Sequence, residues 1–321
     1  MLQPIKEIYN NIEIPNLLIG LDTPDDAAVW RLDDGRVLVM STDFFTPVVD
    51  DAYDYGAIAA ANSLSDVYAM GGTPFLALTV AALPPQLPFQ ISQDIMRGLA
   101  EKAFEADTVI AGGHTIQDKE PKIGLIVIGF AKEHELLRKD GLQVGDRLVL
   151  TKPLGFGVTT TALKQEKAAP EDVEEVVTWM KKLNREAADL AKAFCLKAGT
   201  DITGFSLLGH AWEMAEGAGL GLRIKFRDIP FVSCAKKYAD AWTFPGGAYD
   251  NKSYYIEHIE LDPSIPEPYQ FLLFGPQTSG GLLLGVPDSK LNAFLAAAKS
   301  KNQSAWVIGE VTQDNQIIIE S

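Results

Sequence analysis

The stretch "YGAIAAANSLSDVYAMGG", Tyr55 to Gly72, decides the fold. Ile58, Ala61, Leu64 and Tyr68 recur at helical spacing, and Gly71-Gly72 supplies a stop, so the stretch reads as a helix. The helix is otherwise small and apolar, yet it carries Asp66 four residues after Asn62, on the same face. A carboxylate buried without a partner costs about several kcal/mol, so Asp66 must have one. A capping hydrogen bond, an arginine or a metal ion would each serve.

Outward from this helix the pattern is mixed. "AAVWRL", "DDG" and "RVLVMSTDFF" read as strand, turn and strand, with Asp34-Gly35 as the hairpin signal. "PFLALTVAAL" is strand-like, and "SQDIMRGLAEKAFEAD" is a helix with Ile95, Leu99 and Ala103 on one face. "TVIAGGHT" reads as a short strand running into a glycine turn, and "KIGLIVIGFA" as a buried strand. The elements lack the regular alternation of a doubly wound sheet. After the polar "KEHELLRKDGLQVGD" the composition shifts, which places a domain boundary at residue 142, giving domains 1–142 and 143–321. The second half opens with a long helix expected from Pro170 to about Lys197, with Val173, Val176, Met180, Leu183, Ala187 and Leu190 as its core stripe.

Bulk properties exclude several functions. At 321 residues, 47% apolar and 22% charged, the chain has the composition of a soluble globular protein. No apolar run reaches the roughly 18 residues of a membrane span. "MLQPIKEIYNN" lacks the layout of a secretion signal, so the expected location is cytoplasmic and off the membrane. A net charge of −15 argues against nucleic acid as a partner. It also means that a polyanionic substrate would need a cation supplied with it. Cys195 and Cys234 are too few for a disulfide framework and read as buried structural thiols.

Several aspartates share one context, at the ends of strands or among small residues. Asp26 follows Asp25 in "TPDDAAVW" (Thr23 to Trp30), Asp43 lies in "MSTDFF", and Asp201 stands in "TDITGFSLLGH". Each has a structural alternative, such as a helix cap for Asp201. Together they read as oxygen ligands for a hard cation, Mg²⁺ or Mn²⁺. Neighbours in a formed strand point to opposite faces, so Asp25 and Asp26 would then serve different groups. "AGGHT" and "PQTSGG" are glycine turns able to present N–H groups to phosphate. His114 and His210 adjoin glycines and read as structural. There is no Walker pattern, dinucleotide fingerprint or nucleophile elbow.

"DDAAV", "STDFFTPVVDD", "AAANSLSDVYAMGG", "AGGHTIQDKEPKIGLIVIG", "LTKPLGFGV", "TDITGFSLLGHAWEMA", "PGG" at Pro245–Gly247 and "GPQTSGGLLL" occur in this order. In these strings the chain resembles the selenophosphate synthetase (selenide, water dikinase) family, from about Asn16 to Glu310. The resemblance implies the two-domain PurM-like fold shared with aminoimidazole ribonucleotide synthetase, a hydrogenase maturation factor and thiamine phosphate kinase. It implies an α/β N-terminal domain that forms a homodimer through its sheet, an α+β C-terminal domain, and ATP bound between them. Metal aspartates map onto Asp26, Asp66 and Asp201, with Mg²⁺ as the ion. Nucleotide contacts map onto Thr23, Pro24, Asp25, Asp43, Asp66 and the Gly112-Gly113-His114 turn. The reaction implied converts ATP, selenide and water to selenophosphate, AMP and phosphate. The family also carries a glycine-rich loop with a cysteine or selenocysteine and a lysine; residues 1–15 hold no cysteine, and Lys6 does not align with that lysine. No catalytic side chain is therefore assigned, and these residues alone are expected to bind Mg-ATP but turn over poorly. Ser206 and Gly275 replace a family glycine and aspartate. Two alternatives stand beside this reading: a different small-molecule kinase of the superfamily, releasing ADP, and a non-catalytic nucleotide-binding homologue.

Overall fold

The computed structural model describes residues 3–9, 12–21 and 25–321. In the first half the chain forms α1 (Gln3–Tyr9), β1 (Leu17–Ile19), β2 (Ala28–Arg31), β3 (Arg36–Phe45), α2 (Ala52–Ala69), β4 (Thr73–Leu83), α3 (Phe89–Glu105), β5 (Val109–Gln117) and β6 (Lys122–Lys132). Gly35 takes φ +83° in the β2–β3 hairpin, a conformation that glycine adopts without steric cost. The sheet runs β1-β2-β3-β6-β4-β5. It is antiparallel except for β4 and β5, which are parallel and joined through α3. Inward positions such as Val37, Val39, Leu125 and Val127 pack under α2, which is buried on nearly every side.

The second half adds β7 (Arg147–Leu150), α4 (Phe156–Lys164), α5 (Pro170–Lys181), α6 (Arg185–Ala193), β8 (Ala198–Asp201), α7 (Ser206–Ala218) and β9 (Gly221–Lys225). It continues with α8 (Ala235–Asp240), α9 (Gly246–Tyr255), β10 (Ile259–Leu261), α10 (Glu267–Leu272), β11 (Leu282–Val286), α11 (Asp288–Ser300), β12 (Trp306–Thr312) and β13 (Ile317–Glu320). A second, mixed sheet runs β10-β13-β9-β12-β7-β11-β8. Leu207, Leu208, Ala211 and Met214 of α7 pack with Leu222, Ile224 and Ile308 in one core. Val176, Met180, Ala187 and Leu190 of α5 and α6 join the other core, which continues through α2 into the first sheet. The two halves thus share apolar packing along α2.

Three sequence expectations change. The long helix breaks at Lys182–Asn184 into α5 and α6, although no glycine or proline lies there. The break turns the buried Asn184 side chain toward Ser65 and the backbone of Gly280. The glycines of "AGGHT" form no turn, because β5 runs straight through them; a Cβ on Gly113 would sit 2.2 Å from the Thr79 carbonyl oxygen. Cys234 is buried as expected, but Cys195 is exposed.

Helices α2 and α3 cross at paired glycines. A Cβ on Gly56 would lie 1.9 Å from the Ile95 carbonyl oxygen, and one on Gly98 would lie 2.0 Å from that of Tyr53. Gly98→Ala should therefore destabilise the fold by about 2–3 kcal/mol, measured by urea unfolding, because overpacking outweighs alanine's gain of about 1 kcal/mol in helix propensity. A neutral or stabilising result would mean that the helices do not approach this closely.

Candidate active site

Between Asn62 and Asp66, helix α2 turns four polar side chains into the protein, and each of these four finds a partner. Asn62 donates to the Asp43 carboxylate and accepts from the Ser279 N–H at 2.7 Å. Ser63 donates to the Asp43 carbonyl at 2.9 Å and accepts from the Leu125 N–H. Ser65 donates to Asp201 at 2.6 Å and accepts from Asn184 at 2.8 Å. Asp66 accepts from the Ser41 hydroxyl. The expected face of Asn62 and Asp66 is real, and it gathers β3, β8, the α5–α6 break and the segment around Ser279 onto one helix. Ser279 takes φ +54°, and its carbonyl accepts from the buried Lys152 Nζ at 2.8 Å.

The aspartate pair sits against the same cluster. Strand β2 begins only at Ala28, so strict strand alternation does not govern Asp25 and Asp26. They nevertheless diverge. Asp25 accepts the Asp26 N–H at 2.9 Å and the Lys139 N–H at 3.1 Å. Asp26 Oδ1 accepts from Thr200 at 2.9 Å and pairs with the Lys139 ammonium at 3.0 Å. Lys139 also reaches Glu213 at 2.9 Å, and Glu213 meets His210 Nδ1 at 3.2 Å. His210 is buried and satisfied, with Thr203 and the Phe205 N–H at its other nitrogen.

Electrostatics mark this cluster as unusual. Burial, then the charges of Asp201 and Asp26, raise the Asp66 pKa far above the ordinary carboxylate range. Asp201 is pushed up to about 6 by burial and by Asp26, and Asp25 to about 7 by burial and by Asp26. Burial also raises Asp43. Lys139 works the other way: burial opposes its charge, but Asp26 and Glu213 hold it well above the usual lysine range. Burial would likewise raise Glu213, yet His210 and Lys139 draw it down to about 2. Carboxylates that raise one another's pKa call for a cation.

The donor set suits a hard ion. Asp26 Oδ2 is buried and has no hydrogen-bond partner, which is costly unless something positive fills the space beside it. Among the described residues, however, no three such side chains stand assembled as a ligand shell. The carboxylates are held instead by Ser41, Ser65, Thr200 and Lys139. Asp26, Asp66 and Asp201 would have to turn toward a common centre to ligate one ion.

The other expected residues divide. Thr23 and Pro24 lie outside the described residues. Asp43 shares the cluster through Asn62. Gly112, Gly113 and His114 do not: they lie on β5, the edge strand, with β6 and β4 between them and β3. Gly113 is level with Asp43 along the row Asp43–Leu125–Thr79–Gly113, three strand spacings away, or roughly 14 Å. The sequence reading missed Lys139, Glu213, Thr200 and Asn184, none of which stands in a motif signalling its distant partner. Lys6, which the sequence reading set aside as out of line with the family lysine, lines a cleft of about 1040 Å³ together with Tyr9, Leu17, Asp25, Asp26 and Ser41.

Comparison with known proteins agrees with this architecture. Residues 24–131 match the AIR synthase related protein N-terminal domain, and residues 143–320 match the C-terminal domain. The chain is 43% identical over 310 residues to a selenide, water dikinase of Pelobacter propionicus, covering 95% of this chain and 89% of that one. It is 41% identical over 322 residues to one of Clostridium botulinum, covering 100% and 93%. Among solved structures, a thiamine-monophosphate kinase of Stenotrophomonas maltophilia superposes with TM-score 0.69 at 18% identity, over 99% of this chain and 95% of that one. The hydrogenase maturation protein HypE of E. coli gives 0.70 at 20%, over 99% and 93%. These two share the fold. With near-complete coverage at that identity to its dikinase relatives, the chain belongs to the selenide, water dikinase family of AIR synthase related proteins.

Proposed function

We propose that this chain takes part in the ATP-dependent phosphorylation of selenide, converting ATP, selenide and water to selenophosphate, AMP and orthophosphate. The meeting of Asp26, Asp66 and Asp201 at one junction, in a chain of this family, is the observation that carries the reading. In it, these three aspartates hold Mg²⁺, which supplies charge neutralisation for a polyphosphate whose transfer depends on positioning and electrostatics. Thr23, Pro24, Asp25, Asp43 and Asp66 contact the nucleotide. Ser41, Ser65 and Thr200 keep the carboxylates oriented through hydroxyl hydrogen bonds. The cleft beside Asp25 and Asp26, with Lys6 in its wall, supports an anionic ligand at this place. The domains of the reading are 1–142 and 143–321, and the location is cytoplasmic. In support of the last, no helix among the described residues is long and apolar enough to cross a membrane.

The reading includes a homodimer. The face of the first sheet turned away from α2 exposes Trp30, Met40, Phe44, Leu78 and Ile116, and His114 shares the row of Phe44. An apolar sheet face of this kind favours a second copy as its cover. Gly112, Gly113 and His114 lie too far from the carboxylates of their own chain. The dimer is the arrangement by which they would serve the nucleotide of the partner.

Three outcomes test these statements. Calorimetry should detect ATP binding that requires Mg²⁺ and is lost in Asp66→Asn. Phosphorus NMR with selenide should place product phosphorus in AMP, orthophosphate and selenophosphate, whereas ADP as the end product would replace this reading with that of a simple kinase. Phe44→Asp combined with Leu78→Asp should shift sedimentation from a dimer to the 34.9 kDa monomer; an unchanged wild-type monomer would remove the dimer.

The raised carboxyl pKa values give a pH signature. Between about pH 4 and 7 the folded cluster binds more protons than the unfolded chain does, so its contribution to stability falls as pH rises through Asp201 near 6 and Asp25 near 7. Melting temperature in EDTA should therefore drop across this window, and less so in Asp25→Asn. Saturating Mg²⁺ should flatten the slope, because the ion replaces the protons.

A further inference from the structure

We infer that Lys139 is the resident cation of the carboxylate cluster, a positioning residue whose ammonium sets how strongly the cluster draws a divalent ion. The inference rests on the metal reading proposed above and deepens it.

Lys139 grips the aspartate pair twice. Its backbone N–H donates to Asp25 Oδ2 at 3.1 Å, and its ammonium lies 3.0 Å from Asp26 Oδ1. The Lys139 side chain is 12% exposed and that of Asp26 only 3%, so solvent does little to screen the pair. Thr200 and Lys139 together occupy Asp26 Oδ1, which leaves the buried Oδ2 as the unpartnered oxygen. The lysine thereby selects which oxygen faces an incoming ion.

The lysine is also tied from behind. Glu213 holds its ammonium at 2.9 Å, and Glu213 is itself held by His210, whose ring is pinned by Thr203 and the Phe205 N–H. Lys139 therefore stays when a divalent ion arrives and divides its charge between Asp26 and Glu213. A fixed positive charge beside a metal ligand weakens the metal's attraction while relieving the repulsion among the empty carboxylates. A lysine that merely packed at the junction would do neither.

Mn²⁺ binding to the full chain without nucleotide, read by electron paramagnetic resonance, tests this directly. Lys139→Met should bind Mn²⁺ about tenfold more tightly than the wild type, through loss of one nearby positive charge. Lys139→Arg keeps the charge and should bind as the wild type does. Glu213→Gln leaves all of the lysine's charge on Asp26 and should bind about threefold more weakly. In melting experiments Lys139→Met should lose several degrees in EDTA and gain more from Mg²⁺ than the wild type does. Mn²⁺ affinities unchanged in both Lys139→Met and Glu213→Gln would overturn the inference and leave the metal site standing. Absence of Mn²⁺ binding in every protein, the wild type included, would remove the metal reading and this inference with it. If Lys139→Met does not fold, Lys139→Gln, which removes the charge but keeps a polar side chain, decides in its place: tighter Mn²⁺ binding supports the role, and wild-type affinity overturns it.

Discussion

A helix sealed from water on nearly all sides gains by satisfying the polar groups it carries, and α2 carries four within the five residues Asn62 to Asp66. That gain organises the molecule. Asn62 and Ser63 fix the end of β3 by holding Asp43 through its side chain and its carbonyl. Ser65 reaches Asp201 at the end of β8, and Asn184 closes the triangle from the α5–α6 break. Because these partners belong to both halves of the chain, the apolar packing along α2 and the assembly of the carboxylates form together. A shift of α2 by an ångström would lengthen several buried hydrogen bonds at once.

The cluster built this way is electrically tense. Five aspartates are drawn close in a poorly solvated place, and the strain shows as raised pKa values at Asp25, Asp43, Asp66 and Asp201. Three devices limit it: hydroxyl donors from Ser41, Ser65 and Thr200, backbone N–H groups on Asp25, and the Lys139 ammonium. The first two orient charge without cancelling it. Only the third opposes it with a charge of the other sign, and the Glu213–His210 pair holds that charge in place.

Much of this was legible in the residues. Helical spacing and the Asn62–Asp66 step located α2 and its polar face, and the Asp34-Gly35 signal located the β2–β3 hairpin. Asp26, Asp66 and Asp201 lie near enough that neighbouring charge helps raise the pKa of Asp66 and Asp201, although among the described residues they stand in no ligand shell. What stayed hidden depends on distant partners. Nothing local breaks the helix at Asn184; its side chain leaves because Ser65 and Gly280 offer what an exposed helix position cannot. Lys139 sits in an ordinary polar linker, and its role exists only once Asp26 and Glu213 arrive. The glycines of β5 looked like a turn, yet Gly113 serves close approach to Thr79, a contact set by strand pairing that glycine counting cannot separate from a bend.

The interlock along α2 also bears on inheritance. A crossover in the linker between β6 and β7 would join the first half of one family member to the second half of another. The hybrid would keep two intact sheets, but its halves would join only where the match of Asn62 to Ser279, of Ser65 to Asp201 and Asn184, and of Asp26 to Thr200 survives the exchange. A change on either side of the linker is therefore constrained by the side chains waiting on the other.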